Sequence, residues 1–227
     1  IGFKNDYKRL RFITISKMKY FAKKYIDFAK LIIPGQFITT IAGQAPVFVI
    51  TAQFGLVPAG LLAFSDRILG VPMNFIGNSV RDVFKQRASI DYKNDGNCLG
   101  IYKKVTFSLL AISIVPFIIL FISAPYLFSF IFGEEWLEAG TYARILSISY
   151  LLSFISMPTS WVFVIGEKQK LDFLWQISFF VCTFIPLFAG VIVYKDAYTT
   201  ILLLSIGRSF SYVLQILMTY KIAKGDQ

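Results

Sequence analysis

Arg67 and Arg208 carry the most pointed chemistry in this chain, because each interrupts an apolar run long enough to cross a bilayer. A planar guanidinium stays charged when desolvated and presents a fork of donors that matches phosphate oxygens. Placing one at the centre of a spanning helix costs about 2.5–3.5 kcal/mol, so it is kept there for a reason. Counted inward from the outer ends of Leu56–Val80 and Ala197–Tyr220, each arginine lies roughly ten residues in, about 15 Å at the helical rise. Two cations at one depth suit an anion. Two plainer roles compete: an internal ion pair, or a side chain that stretches to the membrane surface. Asp66 is the acid placed deep in these runs, and hence the candidate to bind a coupling H⁺ or Na⁺. Adjacent helical residues diverge by about 100°, so Asp66 does not face Arg67 and would pair with Arg208 across a helix boundary.

Polar residues accompany the arginines at helical spacing. In the second run they are Gly70, Asn74, Asn78 and, just beyond it, Arg81; in the last they are Ser205, Ser209, Tyr212, Gln215 and Thr219. The first run carries Gln36, Thr40, Gln44 and Thr51 in the same way. Residues three or four apart share a side of a helix. Lipid does not solvate them, so these sides are expected to face one another or a water-filled cavity. The candidate binding set is therefore Arg67, Arg208, Asn74, Asn78, Gln36, Gln44 and Gln215. Ser149, Ser153, Ser156 and Ser160 form a row of small residues that permits close helix packing. The third and fifth runs have scattered polar atoms and read as lipid-facing scaffold. Prolines 34, 46, 72, 116, 158 and 186 are expected to bend their helices. Trp136, Tyr142, Tyr194 and Tyr198 fall at outer ends, and Trp175 and Tyr220 at inner ends, as aromatic belts do.

The elements that position these residues follow from composition. Of the 227 residues 56% are apolar, which in water would leave too much apolar surface exposed. Leu31–Phe54, Val105–Gly133, Ile145–Gly166 and Phe173–Tyr194 are free of charge, and a spanning helix needs about 20 residues. No strand-like alternation runs through them, which excludes a barrel. The expected fold is all-α and integral to the membrane, with a basic linker at 1–30 and six helices in 31–227. The spans fall at about 31–54, 57–80, 105–132, 143–165, 172–194 and 197–220. Of the 23 Lys and Arg, all except Arg67, Arg144, Lys195 and Arg208 lie in the linker, the tail and alternate loops. That bias puts both chain ends and the two basic loops in the cytosol. The net charge of +10 then meets anionic lipid rather than nucleic acid. The chain has no His, and Cys98 and Cys182 are separated by topology, so no disulfide, metal or cofactor is implied. Signatures of metalloproteases, serine hydrolases and Walker nucleotide sites are absent, and no enzyme activity is expected. The chain opens at Ile1 on a basic stretch of the kind that joins two membrane bundles, and it reads as the later half of a larger protein.

Three segments carry a family resemblance. Gly60–Gly77, with Arg67 in mid-helix and Pro72 after it, resembles the eighth membrane helix of bacterial polysaccharide flippases. Phe132-Gly133-Glu134-Glu135-Trp136 is similar to the outer end of their ninth helix, and Gly166-Glu167-Lys168 to the turn after their tenth. These proteins belong to the multidrug/oligosaccharidyl-lipid/polysaccharide exporter superfamily, which includes O-antigen and capsule flippases. The resemblance implies two six-helix lobes in a V, of which this chain is the second. It implies a lipid-linked oligosaccharide on undecaprenyl diphosphate as substrate, membrane lipids and the first lobe as partners, and a bacterial inner-membrane location. In related lipid II flippases an arginine matching Arg67 lies in a cationic cavity and is needed for transport. A multidrug exporter of the same superfamily is one alternative. A membrane polysaccharide polymerase or glycosyltransferase is another.

Overall fold

The computed structural model describes the backbone of residues 15–225 and the side chains from Lys30 to Gly225. Among the described residues six stretches are helical, long and apolar enough to cross a membrane: Lys30–Phe54, Leu56–Asp95, Leu99–Phe132, Glu134–Ile165, Gln169–Tyr194 and Ala197–Ala223. The all-α, six-helix expectation holds. The helices are α1 (Ile15–Phe54), α2 (Leu56–Asp95), α3 (Leu99–Phe132), α4 (Leu137–Thr159), the single turn α5 (Val162–Ile165), α6 (Gln169–Ala189) and α7 (Ala197–Ala223). A 3₁₀ turn, Glu134–Trp136, leads into α4, and a π-helical turn, Gly190–Tyr194, follows α6.

Residues 1–14 of the basic linker lie outside the described residues, and from Ile15 the backbone is helical and continuous with the first span. The basic segment after the second span is helix rather than loop up to Asp95. Nothing between Arg81 and Asp95 breaks a helix, since the segment holds no Gly or Pro. Phe84 and Ala88, one turn apart, also give it a buried side. The turn falls where Asn94–Asn97 signals it: Gly96 takes φ 71° and its N–H caps the Tyr92 carbonyl at 3.0 Å. At the opposite end α1 and α2 are joined by Gly55 alone, at φ 91°, a backbone shape that side chains resist.

The packing sets α4 at the centre and α3 at the edge. Of the most apolar window in each span, 44% is buried for the fourth and 17% for the third. α4 touches α2, α3 and α7, while α1 packs mainly against α6 and less against α2. Lipid offers no hydrophobic drive between helices, so close contact and polar bonds hold them. Ser65 Oγ donates to the Ala139 carbonyl at 2.7 Å, and Ser205 Oγ to Ile145 at 2.8 Å, tying α2 and α7 to α4. Gly140 lets α4 approach α3 so closely that a Cβ there would sit 2.6 Å from the Ala124 carbonyl oxygen. Where the described chain finishes, the Cys98 N–H donates to the Ala223 carbonyl at 2.9 Å. Call this the terminal end of the bundle. The Cys98 thiol is buried there, and burial, helped by the Asp91 charge, pushes its pKa up to about 11. It is a packing group, not a reactive thiolate.

Two of the belt aromatics are interior residues. Tyr142 is buried and donates to Glu138 Oε1 at 3.0 Å, and Trp175 turns inward to donate to the Ser211 carbonyl. Tyr194, Tyr198 and Tyr220 stay exposed. Among the prolines, Pro158 coincides with the end of α4 at Thr159, where the chain breaks before α5.

α7 starts on an Asp cap. The Asp196 carboxylate accepts from the Thr199 N–H and hydroxyl, both at 2.7 Å. Those bonds, the backbone one first, hold its carboxyl below the ordinary 3.8. A lowered carboxyl pKa stabilises the folded state above the unfolded value and loses that stability as pH falls through the folded one. Asp196→Ala is therefore expected to lower the melting temperature near neutral pH, in line with a cap worth about 0.5–2 kcal/mol. The difference from wild type should shrink as pH drops below 3.8, which melting curves across pH 3–7 in detergent will check.

Candidate functional site

Arg67 and Arg208 open onto one cavity. Its volume is about 380 Å³, and its lining includes Gly43 and Gln44 of α1, Asp66 and Arg67 of α2, Tyr150 of α4, Phe179 of α6, and Arg208 and Tyr212 of α7. Five helices thus converge on the depth that residue counting gave for the arginines.

The arginines are held in opposite ways. Arg208 is 8% exposed, and its Nη2 donates to the Ala42 carbonyl at 3.0 Å and more weakly to Gly43 at 3.4 Å. The Ala42 carbonyl is available because of Pro46, four residues on, which has no N–H to give it. The Arg208 guanidinium also lies over the Phe179 ring at 5.8 Å, and its Nε is buried without a hydrogen-bond partner. Arg67 is exposed and makes no hydrogen bond or ion pair among the described residues. One guanidinium is therefore fixed into the wall, and the other is free to meet a ligand.

Asp66 does not neutralise either arginine by contact. Its Oδ1 accepts from the Tyr150 hydroxyl at 2.9 Å, and no ion pair within 4.0 Å joins it to Arg67 or Arg208 among the described residues. It lies near enough for the Arg208 charge to act on it through space. The internal ion pair allowed by the sequence is not formed. The cavity holds two guanidiniums against one carboxylate.

A second cavity, about 480 Å³, lies towards the terminal end. It takes in Gln36 of α1, Arg81 of α2, Ser153, Ser156 and Ser160 of the α4 row, and Asp172, Trp175 and Gln176 of α6. From α7 come Tyr212 and Gln215. A small hollow of about 90 Å³ between Ser149, Tyr150, Ser153, Arg208 and Tyr212 lies between the two. Tyr212 lines all three, so the polar interior runs as a chain of adjoining spaces.

The sequence-derived set divides accordingly. Arg67, Arg208, Gln44 and Asp66 line the arginine cavity, and Gln36 and Gln215 line the larger one. Asn74 and Asn78 line neither of these cavities and are exposed. The reason is rotation: α2 packs along Leu62, Ser65, Leu69 and Gly77, and Asn78 is about 100° round from Gly77. The fifth span is not mere scaffold, since α6 supplies Asp172, Trp175, Gln176 and Phe179. Asp172, in the first turn of α6, adds a carboxylate to the lining of the larger cavity. Its i,i+4 pairing with Gln176 was visible in the sequence but sat at the edge of an apolar run.

Six membrane-length helices that turn guanidiniums, carboxylates and amides inward make a multi-pass membrane protein with a polar, partly cationic interior. The chain belongs to the polysaccharide biosynthesis protein family: that family's model matches residues 9–141, more than half of its length. The match takes in Gln36, Gln44, Asp66 and Arg67 and ends before Tyr150 and Arg208. No curated protein and no solved structure matches the chain.

Proposed function

We propose that this protein is a transporter, not an enzyme, that moves lipid-linked oligosaccharides across a bacterial inner membrane for O-antigen or capsule synthesis. The substrate is a saccharide repeat unit on undecaprenyl diphosphate. The observation that carries the reading is the convergence of Arg67 and Arg208 on one cavity, with no carboxylate in ion-pair contact with either among the described residues. A diphosphate entering there gains charge-assisted, bidentate hydrogen bonds that lipid does not offer. The prenyl tail remains in the hydrocarbon, while the polar interior shelters the head group. A drug-exporting relative would favour cations and so would want acids to prevail in this cavity, where guanidiniums outnumber them.

In this reading the described bundle is the second lobe of a two-lobe carrier, with the chain ends and basic loops in the cytosol. The exposed polar side of α1 and α2, with Gln36, Thr40, Asn74 and Asn78, then faces the first lobe. Rocking of one lobe against the other exposes the cavity to each leaflet in turn. Asp66, held by Tyr150 beside the arginines, is the group whose occupancy by H⁺ or Na⁺ couples to substrate charge.

Export in a deletion strain complemented with variants tests the reading. Arg67→Ala is expected to lower surface polysaccharide by about 10- to 100-fold, the equivalent of losing a charged hydrogen bond of roughly 1.5–3 kcal/mol. Arg67→Lys keeps the charge but not the fork and should retain part of the activity. Wild-type polysaccharide in Arg67→Ala cells at normal protein abundance overturns the anion site.

A further inference from the structure

The larger cavity has a chemistry of its own. Arg67 and Arg208 are absent from its lining, and its inner wall is an aromatic face beside a carboxylate and amides. Trp175 is held in a fixed orientation: its indole N–H donates to the Ser211 carbonyl at 2.9 Å, and its ring lies 5.7 Å from Phe179 and 6.5 Å from Tyr212. One turn along α6, Gln176 Nε2 donates to Asp172 Oδ2 at 2.9 Å, which leaves Oδ1 without a hydrogen bond among the described residues. Gln176 is itself 2% exposed, and its Oε1, which has no hydrogen-bond partner, is pressed against Gly35 of α1. Gln36 and Gln215 enter from α1 and α7.

Each feature narrows the ligand. The lining sets one carboxylate, Asp172, against one guanidinium, Arg81, so it lacks the cationic excess that draws a phosphate to the arginine cavity. An acyl chain finds amides and a carboxylate that it does not satisfy. A pyranose ring meets both requirements. Its C–H face covers an indole, while its equatorial hydroxyls both donate to a carboxylate or amide oxygen and accept from an amide N–H. The volume of about 480 Å³ is that of an ordinary small-molecule pocket, roughly 300–1,000 Å³.

We propose that the Asp172–Trp175–Gln176 cavity is a saccharide subsite that binds a neutral pyranose of the substrate and selects which saccharide is carried. The inference rests on the diphosphate reading of the arginine cavity. Tyr212 lines both spaces, so a sugar held beside Trp175 is directly joined to a diphosphate held beside Arg67. The amides of Gln36 and Gln215 complete the wall around the ring. Trp175, Phe179 and Tyr212 pack as one aromatic cluster, with Trp175 lining the larger cavity, Phe179 the arginine cavity and Tyr212 both.

Tryptophan fluorescence of the purified full chain in lipid nanodiscs tests this, because Trp161 and Trp175 both line the cavity. Methyl pyranosides of glucose, galactose and N-acetylglucosamine are titrated separately, with inorganic pyrophosphate and NaCl as parallel arms. At least one pyranoside is expected to give a saturable change, weakened about tenfold or more by Asp172→Asn. Trp175→Phe, which keeps an aromatic ring, should weaken the same pyranoside and leave the folded fraction unchanged. Pyrophosphate binding should shift less than about twofold in either variant. Absence of any pyranoside response while pyrophosphate still binds overturns the saccharide subsite alone. Loss of pyrophosphate binding with pyranoside binding retained strikes the diphosphate reading instead. A Na⁺-dependent change removed by Asp172→Asn, without a pyranoside response, makes the cavity a cation site and also overturns the proposal.

Discussion

Arg208→Ala is expected to cut both the amount of folded protein and the export it supports, whereas Arg67→Ala cuts export alone. The difference follows from how each side chain is held. Arg67 is exposed in the cavity, and its removal leaves no partner behind. Arg208 is buried, and its removal strands the Ala42 carbonyl, which Pro46 has already deprived of a helical donor. A buried acceptor left unpaired costs about 1–3 kcal/mol. The same substitution removes the cation whose charge reaches Asp66. The decisive measurement is a double-mutant cycle with Pro46→Ala, read as melting temperature in detergent. Alanine at position 46 supplies the missing N–H, so it should stabilise the Arg208→Ala protein more than it stabilises wild type. Export should stay low in the double variant, since the guanidinium is still missing. Equal gains in the two backgrounds would refute the idea that Arg208 serves a proline-freed carbonyl.

The architecture was legible because length and charge carry it. An apolar run of more than about 20 residues has few alternatives to a spanning helix, and all six runs became one. The shared depth of Arg67 and Arg208 was a matter of counting, and they do line one cavity. Rotation about the helix axis was not legible. In a soluble helix the apolar stripe points to the core, but here lipid and neighbouring helices are equally apolar and leave the orientation open. That is why Asn74 and Asn78 fell on an exposed side while Tyr150, Phe179 and Trp175 turned inward. The helical extension to Asp95 was hidden by its charge, which reads as loop although no residue in it stops a helix. Asp172 was hidden by position: it lies in the first turn of α6, where an acid is expected on electrostatic grounds alone.

Gly207→Leu is expected to prevent accumulation of folded protein, and Gly207→Ala to lower its melting temperature by several degrees. Gly207 precedes Arg208 in α7 and repeats its arrangement on the other side of the helix. Pro186 of α6 leaves the Cys182 carbonyl, four residues earlier, without a helical donor. That carbonyl is pressed against Gly207, where a Cβ would overlap its oxygen and lie 2.7 Å from Pro186 Cγ. Both obstacles belong to a rigid ring or to backbone, so α6 and α7 must part to admit a side chain. Overpacking of this kind costs about 1–3 kcal/mol for small additions and more for a leucine. Parting the helices also draws Arg208 away from Ala42, so packing and site fail together. Gly60→Ala in α2 is the matched control, because a Cβ there meets nothing within 4 Å and alanine is the better helix former. Gly60→Ala should match or exceed wild type in melting temperature, and Gly207→Ala should fall below it. If Gly207→Leu instead purifies as a single species melting at the wild-type temperature, the close α6–α7 crossing is not what seats Arg208.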